Sequence, residues 1–139
     1  MTELIVEADG GSRGNPGLAA GGAVVRDATD GQVLAEIGVY VGHASNNVAE
    51  YTGMIAGVRR AFEIAPDANV LVRMDSKLVV EQMMGRWKIK HPDMAELARA
   101  ARDLIAGRPV RFEWIPREQN RRADAMANHA MDAQSSFQR

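Results

Sequence analysis

The sequence predicts an α/β domain built on a mixed five-stranded sheet with flanking helices, in the order βββαβααβα. Three observations predict it. Three apolar runs of strand length fill the first 41 residues, two of them joined by an Asp-Gly turn. Residues 47–64 then switch to helical spacing, with Val48, Tyr51, Ile55, Val58 and Phe62 on one face. A further strand-like run at 69–75 follows that helix, which makes the helix a crossover between parallel strands of one sheet.

In chain order, residues 3–8 (ELIVEA) read as a buried strand ended by the Gly-rich turn GGSRGNPG. Residues 20–27 and 32–41 continue as an antiparallel meander through Thr29-Asp30-Gly31-Gln32. The acids Asp27 and Asp30 before Gly31 lack the spacing of a calcium loop and belong to turn chemistry. The strand at 69–75 (NVLVRMD) is expected parallel to the first and beside it. A short helix covers 76–84. A longer one starts after Pro92, with Met94, Leu97, Ala98, Ala101, Leu104 and Ile105 at helical spacing, and stops at Gly107 and Pro109. Residues 110–115 (VRFEWI) alternate as the last strand, and 120–133 form a helix with the apolar stripe Ala123, Met126, Ala127, Ala130 and Met131.

At 139 residues the chain fits one domain, assigned to 1–134, with 135–139 a polar tail or the start of a linker. Hydrophobic residues at 46% and charged residues at 25% suit a soluble globule. No apolar run reaches membrane-span length and MTELIVEADGG has no signal-peptide pattern, so no membrane partner and a cytoplasmic location are expected. The absence of cysteine excludes disulfides, thiolate zinc sites and cysteine nucleophiles, leaving oxygen or histidine to hold any metal. A net charge of −1 does not announce a nucleic-acid ligand, but binding needs only a local basic stripe. Two runs offer one: Lys77, Arg86, Lys88 and Lys90 around Trp87, and Arg117, Arg121 and Arg122. Each could equally be a solvated face.

Four acids, Asp9, Glu50, Asp75 and Asp124, fall where the predicted strands and helices begin or end. Each has a structural explanation. Asp9 could open the Gly-rich turn, Asp75 or Ser76 could cap a helix, Glu50 has capping-box spacing from Asn47, and Asp124 suits a helix start. The topology nevertheless gives them a common crevice, since Asp9 and Asp75 end adjacent parallel strands, where open α/β sheets bind ligands. Oxygen ligands of this kind suit Mg²⁺ or Mn²⁺.

The segments EADGGSRGNPG, ASNNVAEY, VRMDSK and NRRADAMAN together resemble the motifs of the type 1 ribonuclease H family, in the family's order and across roughly residues 3–131. The resemblance implies the ribonuclease H-like fold and a metal-dependent endonuclease. Such an enzyme hydrolyses the RNA strand of an RNA/DNA hybrid by a two-metal-ion mechanism, leaving 3′-hydroxyl and 5′-phosphate ends. It places catalysis and metal binding on Asp9, Glu50, Asp75 and Asp124. Asp9 would bridge two Mg²⁺ ions, for which Mn²⁺ could substitute. Asp124 would help hold the ion that activates water, and Glu50 with Asp75 the ion at the leaving oxygen. It places the substrate groove at Gly10, Gly11, Ser12, Asn15, Asn46, Asn47, Ser76 and Lys77, whose small polar groups can approach 2′-hydroxyls in a shallow minor groove. Gly14, Pro16 and Gly17 are turn formers, and Asn46 is a groove residue or a helix cap.

Two departures from the family pattern stand out. Many members carry a histidine on the loop before the last acid; here Arg117 takes that place, with Glu118 as rival, and an arginine can act only electrostatically. His43 and His129 read as bystanders. The lysine-rich helix and loop that some members insert is also missing, with only GRWKIKH in the gap. Hybrid affinity would then lean on Trp87, Lys88 and Lys90 or on a partner domain, with Trp87 either a core plug or a contact to the DNA strand. Some bacterial relatives fuse a similar domain to a phosphatase-like one; this one is expected to be monomeric. No phosphate-loop, dinucleotide, serine-hydrolase or zincin motif competes. The rival functions are a non-cleaving hybrid-binding module and a DNA-acting nuclease of the same fold.

Overall fold

The computed structural model describes residues 2–139. Its elements are β1 (Glu3–Arg13), β2 (Gly17–Asp27), β3 (Val33–Ala44), α1 (Asn46–Ile64), β4 (Asn69–Met74), α2 (Lys77–Met83), α3 (Pro92–Ile105), β5 (Val110–Trp114), α4 (Arg121–Ala133) and β6 (Phe137–Gln138). A short 3₁₀ turn, Arg117–Gln119, precedes α4. The sheet order is β5-β4-β1-β2-β3-β6, antiparallel through β1, β2 and β3 and parallel through β1, β4 and β5. The expected α/β architecture and element order are present, with one strand added.

That sixth strand comes from residues expected to be a polar tail. Phe137 pairs with Gly38 and Gln138 with Ile37, while Arg139 and Glu36 exchange backbone hydrogen bonds. Phe137 also meets the His129 ring edge-on at 4.8 Å, which ties the strand to α4. A second correction concerns β1, which does not stop at the Gly-rich segment. It runs through Gly10 and Gly11 to Arg13, paired with β2 throughout from Leu4 to Arg13. Asp9 is therefore inside a strand, although its parallel pairing with β4 ends at Ala8.

Glycine in β1 and β2 serves close approach rather than turning. A Cβ at Gly10 would lie 2.3 Å from the Glu50 nitrogen, and one at Gly21 would lie 2.5 Å from the Gly53 nitrogen, so α1 rests directly on the sheet backbone. On the next residue, a Cβ at Gly22 would lie 2.3 Å from the Ala123 oxygen, which puts α4 equally close on the opposite face. The main core lies between the sheet and α1, α2 and α3, around Val6, Val25, Met54, Val58, Val72 and Met74. A smaller cluster of Ala20, Ala127, Ala130 and Met131 seats α4. The Asp27–Gln32 turn holds as expected: the Asp27 and Asp30 side chains accept from the backbone of Thr29 and Gln32, and Gly31 has φ of +76°. Among the described residues no helix is long and apolar enough to cross a membrane.

Gly22→Ala is expected to destabilise the fold by about 1–3 kcal/mol, because the added methyl must push α4 off the sheet. Urea unfolding checks it, and an unchanged midpoint would show that α4 can retreat freely.

Candidate active site

The two strands deliver the first pair of acids. Asp9 follows the last β1 residue paired with β4, and Asp75 follows β4 itself. Glu50 comes from α1, whose start differs from the expected capping box. Ser45 is the N-cap, its hydroxyl accepting from the Val48 amide at 3.2 Å. Glu50 therefore lies a turn inside the helix and caps nothing, and neither Asn46 nor Asn47 is the cap. Asp124 occupies the first turn of α4, as expected.

All four carboxylates line one cleft of about 360 Å³, together with Gly10, Gly11, Ser12, Asn46 and Arg117. Among the described residues, none of the four makes an ion pair. Burial, then repulsion from Asp75, Asp124 and Glu50, pushes the Asp9 carboxyl up to about 8, against a hydrogen bond from the Gly10 backbone. Burial pushes Glu50 up to about 7, with Asp75 adding repulsion and a Ser76 hydrogen bond opposing. Hard anionic oxygens that repel one another in a cleft have the charge and donor type for a divalent cation. The placement is open rather than a finished cage: among the described residues, no group of three or more acids or histidines is arranged to enclose an ion.

The expected groove residues divide in two. Gly10, Gly11, Ser12 and Asn46 line the cleft; Asn15, Asn47, Ser76 and Lys77 do not. Asn15 works one layer back, its Oδ1 accepting from the Asn46 amide at 3.0 Å, while Asn46 Oδ1 accepts from the Ser12 amide at 2.7 Å. The Ser12 hydroxyl completes the lattice by donating to the Ala44 carbonyl at 2.6 Å. Ser76 caps α2 through a bond from the Val79 amide. Lys77 turns away to Glu81 at 3.7 Å and lies 5.7 Å from the Trp114 ring centre.

Arg117 reaches the cleft, whereas Glu118 lines only a neighbouring cavity shared with Arg117, Arg121 and Asp124. His43 and His91 line a separate cavity and His129 packs on Phe137, so none of the three reaches the acids. Trp87 is 45% exposed and is not a core plug. Of its basic neighbours, Arg86 is bound to Glu81 through two nitrogens at 2.6 and 2.7 Å, while Lys88 lines the cavity beside Trp87. Arg122 is likewise tied to Glu36 at 2.8 Å.

Four cleft neighbours escaped the sequence reading. Arg13 lines the cleft and is held to Asp132 at 2.7 Å, Asn128 accepts from it at 3.3 Å, and Met131 lies beyond. Asn128 and Met131 follow Asp124 by about one and two turns, a spacing that could have found them. Asn120 lies behind the cleft, bonded to Asp75 and to the Ala8 carbonyl.

A family model described as reverse transcriptase-like matches residues 7–130. Ribonuclease H1 from the archaeon Halobacterium salinarum has 40% sequence identity and superposes with a TM-score of 0.88, covering 94% of this chain and 98% of that one. The chain belongs to the type 1 ribonuclease H family. Other ribonuclease H structures agree. The N-terminal RNase H domain of Rv2228c from Mycobacterium tuberculosis has 52% identity, a TM-score of 0.90 and 96% coverage of both chains. LC11-RNase H1, solved in complex with RNA/DNA hybrid, has 39% identity and a TM-score of 0.89 over 95% of this chain and 99% of its own. The full-length bifunctional protein Rv2228c is 55% identical over 133 residues, of which this chain spans 36% of the length.

Because Asp9 and Glu50 hold protons to higher pH in the folded state than in the unfolded chain, unfolding releases them. The metal-free stability contributed by this pair therefore falls as pH rises from about 4, the ordinary carboxyl range, through about 7 and 8. Metal-free Asp9→Asn is expected to melt higher than the unsubstituted protein at pH 8 to 9, with the gap closing toward pH 4; calorimetry across that range checks it.

Proposed function

We propose that the domain is an endoribonuclease that hydrolyses the RNA strand of RNA/DNA hybrids, leaving 3′-hydroxyl and 5′-phosphate ends. The observation that carries this reading is the convergence of four carboxylates, none in an ion pair among the described residues, from β1, α1, the end of β4 and α4, on a cleft lined by Gly10 and Gly11. Membership of the type 1 ribonuclease H family supports it, as does the hybrid-bound relative LC11-RNase H1.

Asp9, Glu50, Asp75 and Asp124 would hold two divalent cations, Mg²⁺ or Mn²⁺, which when bound would lower the pKa of attacking water and offset charge on the leaving oxygen. The remaining work falls to the chain's own groups. Gly10 and Gly11 present backbone without side chains, and Ser12 and Asn46 are locked in place by the Ala44 and Asn15 contacts, so all four can approach 2′-hydroxyls at fixed positions. Preorganised contacts of this kind hold the scissile phosphate for in-line attack. Arg117, exposed at the cleft mouth, would orient that phosphate by bidentate hydrogen bonding. Lys88 with the exposed Trp87 would carry part of the backbone contact.

End-labelled hybrid, duplex RNA, duplex DNA and single strands, each with Mg²⁺, Mn²⁺ or EDTA, provide the test. Cutting of the hybrid's RNA strand alone, only with metal, is expected. Tight hybrid binding without cutting, or cutting of DNA, would replace the proposal with a binding module or a DNA nuclease. Asp9→Asn is expected to abolish cleavage. Arg117→Ala is expected to slow turnover by on the order of a hundredfold while cleavage persists.

A further inference from the structure

Asn120 occupies the N-cap position of α4, where an asparagine side chain ordinarily accepts a hydrogen bond from the helix, yet it makes no such bond. The residue is 1% exposed. Its amide nitrogen points the other way, donating to the Ala8 carbonyl at 2.8 Å and to Asp75 Oδ1 at 2.7 Å. A backbone carbonyl can only accept, and an ionised carboxylate likewise, so the NH₂ group must face both and the amide cannot flip. Its Oδ1 is then left buried without a partner. A forgone cap and an orphaned acceptor are two costs at one residue, and a buried orphan in a native fold calls for an explanation.

The two acceptors supply one. Ala8 immediately precedes Asp9 on β1, and Asp75 immediately follows β4. The Ala8–Met74 register pair is the last between these strands, so beyond it the sheet ladder no longer holds Asp9 and Asp75 together. One NH₂ group replaces the missing rung, bridging the backbone that carries Asp9 to the carboxylate of Asp75. The segment bearing Asn120 is itself anchored to β4: the Ile115 amide donates to the Met74 carbonyl at 2.9 Å and the Trp114 indole to the Asp75 carbonyl at 3.2 Å.

We propose that Asn120 is a positioning residue, which uses its amide NH₂ to hold the Asp75 carboxylate in a fixed place relative to Asp9 so that both address the same cation. It acts through Asp75 and does not touch the substrate. The proposal rests on the hybrid-cleaving, cation-dependent reading of the cleft. Ligand-orienting groups outside a metal's own ligands typically matter by 10- to 100-fold in affinity or activity.

Asn120→Leu keeps the size and burial of the side chain and removes only its hydrogen bonds; Asn120→Ala is its companion. Each is compared with the unsubstituted protein for melting, for Mn²⁺ affinity by calorimetry without nucleic acid, and for kcat and KM on a hybrid across Mg²⁺ concentrations. At least one variant is expected to fold, with Mn²⁺ affinity lowered on the order of tenfold. The kcat should fall while the hybrid KM stays unchanged, and raised Mg²⁺ should recover part of the rate. In an Asp75→Asn background, Asn120→Leu should add no further loss of Mn²⁺ affinity. Unchanged Mn²⁺ affinity in a folded variant overturns the proposal, as does an equal loss in the Asp75→Asn background. Unfolding of both variants also overturns it, making Asn120 a strut of the fold. Failure of the unsubstituted protein to cut hybrid while it binds Mn²⁺ would refute the functional reading and leave the role of Asn120 to be judged by the calorimetry.

Discussion

Direct backbone contact between the central strands and two helices is the constraint on which the remaining architecture depends. At Gly10 and Gly21 the sheet lies so close to α1 that a single methyl would collide with main-chain atoms, and at Gly22 the same holds for α4 on the other face. Helices held at ordinary side-chain distance would keep Glu50 and Asp124 well away from β1. Removing the intervening side chains brings both within electrostatic reach of Asp9, which senses Asp75, Asp124 and Glu50 together. The glycines of the DGG segment thus do two things. Gly10 lets α1 dock, and Gly11, whose Cβ position faces Met131 of α4, lines the cleft beside the acids without a side chain of its own.

Gathering the acids works against folding. Each carboxylate brought into the cleft loses water and gains like-charged neighbours, and no lysine or arginine pairs with any of the four among the described residues. Two arginines of the surrounding frame are committed elsewhere, Arg13 to Asp132 and Arg122 to Glu36, while Arg117 lines the cleft without pairing with any of the four acids among the described residues. That cost is concentrated at one site and absorbed by a well-packed frame. The frame is supplied by the alanine-rich seat of α4 and by the valine and methionine core under α1.

Much of this was legible in the amino-acid sequence, for physical reasons that differ by element. The period-2 pattern of β4 and the period-3.6 patterns of α1 and α4 are strong because each buries one face, β5 alternates while only half-burying Val110 and Phe112, and the Asp30-Gly31 turn has few alternatives. The four acids were visible because each falls near an element boundary expected from those patterns, although Asp9 proves to lie inside β1 and Glu50 a turn inside α1. The errors also have causes. Gly10 and Gly11 read as a turn because a glycine in a strand leaves no alternation to detect; only the helix above explains them. β6 was missed because two residues have no period, and Phe137 is fixed by pairing with Gly38, which is distant in sequence, and by the His129 ring of α4. Ser45, not Asn46 or Asn47, caps α1, since three adjacent polar residues offer the same chemistry and tertiary contacts with Ser12 and Asn15 employ Asn46 otherwise. Asn120 was read only as the first residue of the last helix, because nothing in the sequence places its side chain against Asp75.

The central claim is that four carboxylates of separate origin form one cation-binding centre. Anomalous diffraction from crystals equilibrated with Mn²⁺ tests it most directly. Mn²⁺ is expected in the cleft with Asp9 among its ligands and with Glu50, Asp75 or Asp124 completing the protein side. Saturating Mn²⁺ that leaves the cleft empty, or binds only away from Asp9, would contradict the account.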